Sequence, residues 1–224
     1  MPGHVRVGGS WKTVSSPSVR VGGSWKSVTA GFTRVGGAWK QWYTAGGGPS
    51  IDRLGTATVS GDTTSFAAFS SIPATYKHLI LTGRLVQPGG QLPQIGMFFN
   101  GITGTSYDAY NINHFGYSSI SGDSLLNRPN IWVSAVLGAG SSLNDATFEV
   151  EIFDYANPNK NTSVKGFQTT HSDDGTHRKG VASFNGVWKN TAVVNSIGIA
   201  PGAVDGYSNA VYAGSSFTLY GVKG

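Results

Sequence analysis

The sequence predicts an all-β protein in which tandem β-hairpin repeats precede a larger antiparallel β-sandwich or barrel. Charged residues make up only 12% of the 224 residues and glycine contributes 33, a composition typical of many short strands and turns. One short phrase recurs near the N-terminus. Beyond it, apolar and polar residues alternate in short runs, and no segment sustains the 3.6-residue period of a helix.

The repeat occupies residues 5–12, 19–26 and 33–40, which read VRVGGSWK, VRVGGSWK and TRVGGAWK. Its tryptophans stand at positions 11, 25 and 39, so the spacing is 14 residues throughout. Each Gly-Gly pair supplies the two positive φ angles that a two-residue turn between β-branched or aromatic residues requires. Each copy is therefore predicted to form a β-hairpin.

In such a hairpin the arginine faces the tryptophan across the ladder, where a guanidinium can lie over an indole. A lone hairpin is marginal in water. We therefore expect the hairpins to stack on the following domain or on copies from other chains, which would cover strand edges and indoles. The alternative is an arm ordered only on its attachment site. The residues predicted to serve attachment or oligomerisation are Arg6, Trp11, Lys12, Arg20, Trp25, Lys26, Arg34, Trp39 and Lys40.

Composition divides the chain into a repeat region at 1–43, a glycine-rich linker at 44–50 and a predicted sandwich domain at 51–224. The clearest alternation, FEVEIFD at 148–154, puts apolar residues on one face and acids on the other. Predicted strands beyond the linker cover 55–60, 66–70, 77–86, 94–100, 107–115, 130–137, 146–154, 162–171, 178–188, 193–200 and 216–222.

The net charge of +5 is unevenly distributed, because six of the 16 cationic residues and none of the 11 acidic ones lie in the first 50 residues. Cations interleaved with tryptophan suit single-stranded nucleic acid. The repeat explains that regular spacing by itself, so no nucleic-acid partner is expected. Neither an apolar run of 18 residues nor a signal-peptide core is present, so membrane insertion and export by that route are not expected. Without cysteine there is no thiolate metal site, and no cofactor is expected.

Several segments resemble bacteriophage structural proteins, especially tail-fibre and receptor-binding proteins. They are SIPATYKHLILTGRL at 71–85, MFFNG at 97–101 with Tyr107, GVWKNT at 186–191 and AGSSFTLYG at 213–221. The last is the most family-like, since such chains often close on a strand of the form Ser-x-Phe-Thr-Leu-Tyr-Gly. The 14-residue repeat also resembles phage virion proteins in which the number of copies varies.

The resemblance implies a jelly-roll-like sandwich, homotrimers, and attachment to other phage virion proteins through the N-terminal part, with the C-terminal domain facing outward. It predicts a tail-fibre-like virion subunit, assembled in the host cytoplasm, that serves receptor binding or host adsorption. A host surface glycan is a candidate ligand. The chain lacks the long fibrous shaft of a full tail fibre. A short fibre, a tip protein and a head decoration (cement) protein that clamps capsid subunits therefore stay open.

No enzyme and no catalytic residue is predicted, since the sequence has no GxSxG elbow, no P-loop and no HExxH zinc motif. Glu149 and Glu151 would lie about 7 Å apart on one strand face, which overlaps the carboxyl separation in inverting glycosidases. A polysaccharide depolymerase is therefore the enzymatic alternative. The alternating apolar neighbours explain the pair equally as a solvated strand face.

Two imidazoles and two carboxylates surround a predicted Asp-Gly turn, namely His171, Asp173, Asp174 and His177. These groups are possible ligands for a divalent cation. A two-residue turn would point the imidazoles to opposite faces of the hairpin. No metal site is therefore predicted.

The segment most suited to binding is TSYDAYNINHFGY at 105–117. Its aromatic rings lie beside hydrogen-bonding groups, a combination that suits a sugar or a polar surface. The candidate receptor-binding residues are Tyr107, Tyr110, His114 and Tyr117. The alternative is that two or three of these aromatic residues belong to the core.

Overall fold

The computed structural model describes residues 3–7, 9–14, 18–44, 51–86, 94–115, 120–135, 145–171, 179–201 and 210–223. The chain forms two compact units, Met1–Ser50 and Ile51–Gly224. No residue of the described ranges is helical. The all-β fold predicted from the sequence is therefore confirmed.

In the part of the N-terminal unit that the structure describes, the strands form three separate two-stranded antiparallel sheets. They pair β1 (Gly3–Val7) with β2 (Ser10–Val14), β3 (Ser18–Val21) with β4 (Ser24–Ser27), and β5 (Ala30–Val35) with β6 (Ala38–Thr44). Arg6 faces Trp11, Arg20 faces Trp25 and Arg34 faces Trp39. The predicted register is confirmed in all three copies.

The glycine pairs explain why the turns are so tight. Gly22 and Gly23 have φ angles of +59° and +85°, and Gly36 and Gly37 have +62° and +83°. These angles lie in the left-handed region, which other residues adopt only with strain. Glycine at both turn positions therefore lets the strands on either side pair immediately.

The second and third hairpins have almost no interior of their own, since residues 18–27 and 32–41 are all exposed. The predicted stacking of guanidinium on indole is not seen in these two hairpins. Arg20 Nε instead donates to the Gly23 carbonyl oxygen at 3.4 Å, and Arg34 Nε to that of Gly37 at 3.4 Å. The bond to the turn carbonyl directs the arginine toward the turn and leaves the indole uncovered.

The described residues of the second unit form twelve strands. They are β7 (Ile51–Thr58), β8 (Phe66–Phe69), β9 (His78–Val86), β10 (Gln94–Phe99), β11 (Tyr107–Phe115), β12 (Ser121–Arg128), β13 (Ile131–Ala135), β14 (Asp145–Phe153), β15 (Thr162–His171), β16 (Lys179–Trp188), β17 (Ile197–Pro201) and β18 (Ser216–Val222). An eight-stranded sheet has the order β12-β11-β16-β15-β14-β9-β18-β7, and a four-stranded sheet the order β13-β10-β17-β8. All pairings between these strands are antiparallel.

The two sheets pack face to face through aromatic side chains. Phe99 on β10 lies 5.5 Å from Trp188 on β16, measured between ring centroids. Farther along, Phe66 on β8 meets Phe217 on β18 at 6.1 Å. Phe99, Trp188 and Phe217 belong to one buried cluster with the aliphatic core residues, and the partly buried Phe66 packs against it. The arrangement is a β-sandwich. The inner face of the larger sheet packs against the smaller sheet, and its outer face is directed away from the core.

Strand β12 was not among the strands predicted from the sequence. Its residues, SGDSLLNR, are mostly polar, and it lies at the edge of the eight-stranded sheet. Side chains of the neighbouring strand hold it in place. Asn111 Oδ1 accepts the Asp123 backbone N–H at 3.0 Å, and Asp108 Oδ1 accepts that of Asn127 at 2.7 Å. An edge strand held by such bonds needs no apolar alternation.

Asp108 is expected to make stability pH-dependent. The Asn127 N–H, and then Lys189 Nζ at 3.0 Å, lower the pKa of Asp108 below its ordinary value. A carboxyl whose pKa is lower when folded stabilises the protein above its unfolded pKa of about 3.9 and loses that effect in acid. Asp108→Asn should therefore reduce the melting temperature at pH 7 by a few degrees, with the difference shrinking below about pH 4.

Thermal unfolding followed by circular dichroism at several pH values checks this prediction. Asp154→Asn is the matched control, because its carboxylate meets Lys160 Nζ in an exposed pair at 3.6 Å, which should contribute little. An equal difference between Asp108→Asn and the unsubstituted chain at pH 7 and at pH 2.5 would contradict the assignment.

Candidate binding surfaces

Tyr107 is a core residue, which corrects its prediction as a receptor contact. Its side chain is fully buried and stacks on Trp188 at a centroid distance of 6.4 Å. The hydroxyl accepts the Phe99 N–H at 2.8 Å and donates to the Ile102 carbonyl oxygen at 2.8 Å. Burial raises the pKa of Tyr107 to about 12. The ring therefore ties β11 to the turn that follows β10 and is closed to any partner.

Tyr110 and His114 lie on the opposite face of β11 and are exposed. Between them Ile112 is also outward and 63% exposed, while Tyr110 is 48% exposed. Strand alternation explains the division, because residues 107, 109, 111 and 113 point inward and 110, 112 and 114 point outward. The fourth candidate, Tyr117, lies outside the described residues.

The outward face of the sheet continues from β11 across β16 and β15 to β14. One cross-strand row runs Tyr110, Asn185, Lys165, Glu151, and the next runs Ile112, Ser183, Phe167, Glu149. Both rows lie on the side away from the core. The two glutamates singled out in the sequence therefore belong to a wider surface that includes aromatic and cationic side chains.

A shallow open depression lies in the middle of this surface. Its lining residues are Glu149, Glu151, Lys165, Gly166, Phe167 and Ser183. Lys165 Nζ forms an ion pair with Glu151 Oε2 at 3.2 Å and lies 5.4 Å from the centroid of the Phe153 ring. Phe167 is 49% exposed, a large value for a phenylalanine in a well-packed domain.

Sequence reasoning noticed the two glutamates but missed Lys165, Phe167 and Ser183. The outward position of Phe167 follows from the two-residue alternation of β15, which places it with Lys165 and Thr169. That signal was available in the sequence. Its pairing with Glu149 and Ser183 depends on strand register, which the sequence alone does not specify.

The N-terminal repeat presents the second candidate surface. Trp25 is 72% exposed and Trp39 is 70% exposed. Lys26 and Lys40 are exposed beside them on the opposite hairpin faces. In the first hairpin the backbone of Arg6, Trp11 and Lys12 follows the same register, while their side chains lie outside the described part.

The predicted turn around Asp174 also lies largely outside the described residues, and so does the side chain of His171. Among the side chains that the structure describes, no three histidine, aspartate or glutamate residues group as metal ligands. Nor does the described part contain a helix long and apolar enough to cross a membrane.

Comparison with known proteins gives no relative: no protein-family model, no curated protein and no solved structure matches the chain. The two surfaces therefore have to be interpreted from their own chemistry.

Proposed function

We propose that the chain is a bacteriophage virion structural protein, a tail-fibre-like subunit that forms homotrimers and serves host adsorption. The observation that carries the proposal is the exposure of the second and third hairpins, whose residues 18–27 and 32–41 are all exposed. Three copies of one structure each hold a tryptophan, and the two with described side chains leave it at least 70% exposed. An element with no interior of its own needs a partner to bury its indole.

Equal spacing suggests what that partner is. Hairpins that recur every 14 residues present the same Arg-Trp surface several times along one chain. Such an array can pair with matching arrays on identical chains, which closes the open strand edges in a symmetric assembly. In a homotrimer the repeats would form a common attachment foot that joins other virion proteins, and the sandwich would be available for the host surface.

The second candidate is a head decoration protein, and the charge distribution favours it. All formal charges in the first 50 residues are positive, whereas the 11 acidic residues all lie beyond them. A cationic hairpin foot would suit an acidic groove between capsid subunits. Both candidates make the chain a virion component, and they differ only in where it is attached.

A depolymerase is not proposed. Glu151 is engaged by Lys165 at 3.2 Å, and Glu149 is exposed on an open strand face. Neither carboxyl lies in an enclosed cleft that would exclude water and orient a glycosidic bond. Release of reducing ends from a host polysaccharide, abolished by Glu149→Gln, would overturn this conclusion.

Gold-labelled antibodies raised against residues 51–224 test the proposal on intact particles of the phage that encodes the chain. Electron microscopy is expected to show label at the tail or its tip. Label spread over the head would favour the decoration alternative instead. If purified particles bind no label and contain no peptide of the chain by mass spectrometry, the protein is not a virion component.

A further inference from the structure

The depression on the outer face of the eight-stranded sheet is built from two short cross-strand rows. Glu149, Phe167 and Ser183 form one row, and Glu151 and Lys165 form the other, with Asn185 next to Lys165 but outside the lining residues. Neighbouring strands lie about 4.8 Å apart and outward residues on one strand about 7 Å apart. Five side chains therefore frame an area of roughly 10 by 7 Å, the footprint of one or two sugar rings.

Its chemistry combines a flat apolar ring with hydrogen-bonding groups on every side. The half-exposed Phe167 offers the ring. Glutamate carboxylates accept hydrogen bonds, the Lys165 ammonium donates them, and Ser183 and Asn185 can do both. A pyranose has the complementary pattern, since its C–H groups form an apolar face and its hydroxyl groups project from the edge.

Part of the site is already held in place. Lys165 is positioned by Glu151 and by the Phe153 ring, which both lie on the neighbouring strand β14. A side chain that is ordered before binding loses less entropy when the ligand arrives. The carboxylates of Glu149 and Glu151 outnumber the single ammonium of Lys165, so the depression has a net negative charge. It should therefore repel anionic sugars and accept neutral ones.

The same features argue against a second copy of the chain as the occupant. Tyr110, Ile112, Phe167 and Val181 make this face partly apolar, with each 44% exposed or more. Three charged groups, however, lie directly among them. The centres of stable protein interfaces are depleted in lysine and glutamate, whose desolvation is costly.

We propose that the depression formed by Glu149, Glu151, Lys165, Phe167 and Ser183 is a binding site for a neutral saccharide, a hexose or N-acetylhexosamine. Phe167 stacks on the sugar face, and the polar groups bind the hydroxyls. The assignment rests on the proposed adsorption role and names its ligand class. The sequence had indicated Tyr110 and His114 on β11 as receptor contacts. The proposed stacking residue, Phe167, lies two strands away on β15.

The test uses the full chain on a printed array of neutral hexose and N-acetylhexosamine oligomers together with uronic-acid and sialylated oligomers. Binding is expected to neutral oligomers and not to acidic ones. Titration with the best neutral oligomer should then show affinity about tenfold weaker or worse for Phe167→Ala, the loss of one aromatic stacking contact. Leu126→Ala removes a comparably exposed apolar side chain elsewhere on the sheet and should change affinity less than twofold.

A second variant tests the site independently, in case Phe167→Ala impairs folding. Ser183→Tyr fills the depression from an exposed strand position and leaves the core unchanged, and it should also abolish binding. Absence of binding to every neutral oligomer, preference for acidic ones, or unchanged affinity in both variants would overturn the site. Those results leave the virion assignment standing, because it depends on the particle labelling. Saccharide binding that depends on Phe167 in a chain absent from particles would instead overturn the virion role alone.

Discussion

Replacing Trp25 and Trp39 together with alanine is expected to dissociate the proposed homotrimer into monomers that still fold. Both indoles are at least 70% exposed within one chain, so their removal costs the isolated chain little. In an assembly that buries them, each tryptophan should contribute about 2 kcal/mol as an interface hot spot. Losing two per chain should weaken trimerisation by several orders of magnitude.

Light scattering during size-exclusion chromatography over a range of protein concentrations measures this effect. Tyr110→Ala/Ile112→Ala is the matched control, since it removes two exposed apolar side chains from the sandwich, and it should leave the oligomeric state unchanged. A monomeric unsubstituted chain at high concentration would refute self-association. A trimer that survives the double tryptophan substitution would show that the repeats are not its interface.

The hairpins show how much local sequence can specify. The turns of the second and third hairpins have positive φ at two consecutive positions, which glycine adopts without strain. Once the turn is fixed, the partner of every strand residue follows by counting outward. That is why the pairing of Arg20 with Trp25 was predictable. The orientation of the guanidinium was not, because a carbonyl of the turn competes with the indole for it.

Strand β11 shows where local sequence is insufficient. Alternation alone states that Tyr107 and Tyr110 face opposite sides, but not which side is the core. The inward side carries Asn111 and Asn113 and the outward side carries Ile112, the reverse of the usual hydrophobic pattern. The asparagines can be buried because each bonds to strand β12: Asn111 Oδ1 accepts the Asp123 N–H, and Asn113 Oδ1 accepts the Ser121 hydroxyl. Strand β12 itself was not predicted, so its effect on β11 was not either.

The depression depends on still longer-range information. Its residues come from three consecutive strands, β14, β15 and β16, and residues that lie side by side across the strands are far apart along the chain. Glu149 and Ser183 are brought to either side of Phe167 by the register of β14, β15 and β16. Register is set by the inward residues, such as Val150 and Phe184, and so the outer site is a consequence of core packing.

The dependence of the outer depression on core packing can be tested at Gly166. Gly166→Ala is expected to destabilise the sandwich by about 3 kcal/mol, at the upper end of overpacking effects. Gly166 lies in the middle of β15, and a Cβ there would overlap the Phe184 ring and lie 2.7 Å from the Glu149 carbonyl oxygen. The backbone oxygen is fixed in the ladder, and Phe184 packs edge-on against Trp132 at 5.7 Å. Neither neighbour can move aside cheaply.

Urea unfolding followed by tryptophan fluorescence measures the free energy of unfolding of Gly166→Ala and of the unsubstituted chain. Gly55→Ala is the control, because its Cβ would lie 3.7 Å from the Phe69 ring, an ordinary van der Waals distance. That substitution should be neutral or slightly stabilising, because alanine restricts the unfolded chain more than glycine does. Equal stability of the two variants would mean that Phe184 repacks freely. In that case the close approach of Gly166 to the Glu149 backbone would not be what holds Glu149 beside Phe167. The hydrogen-bonded register of β14 and β15 would position the two residues by itself.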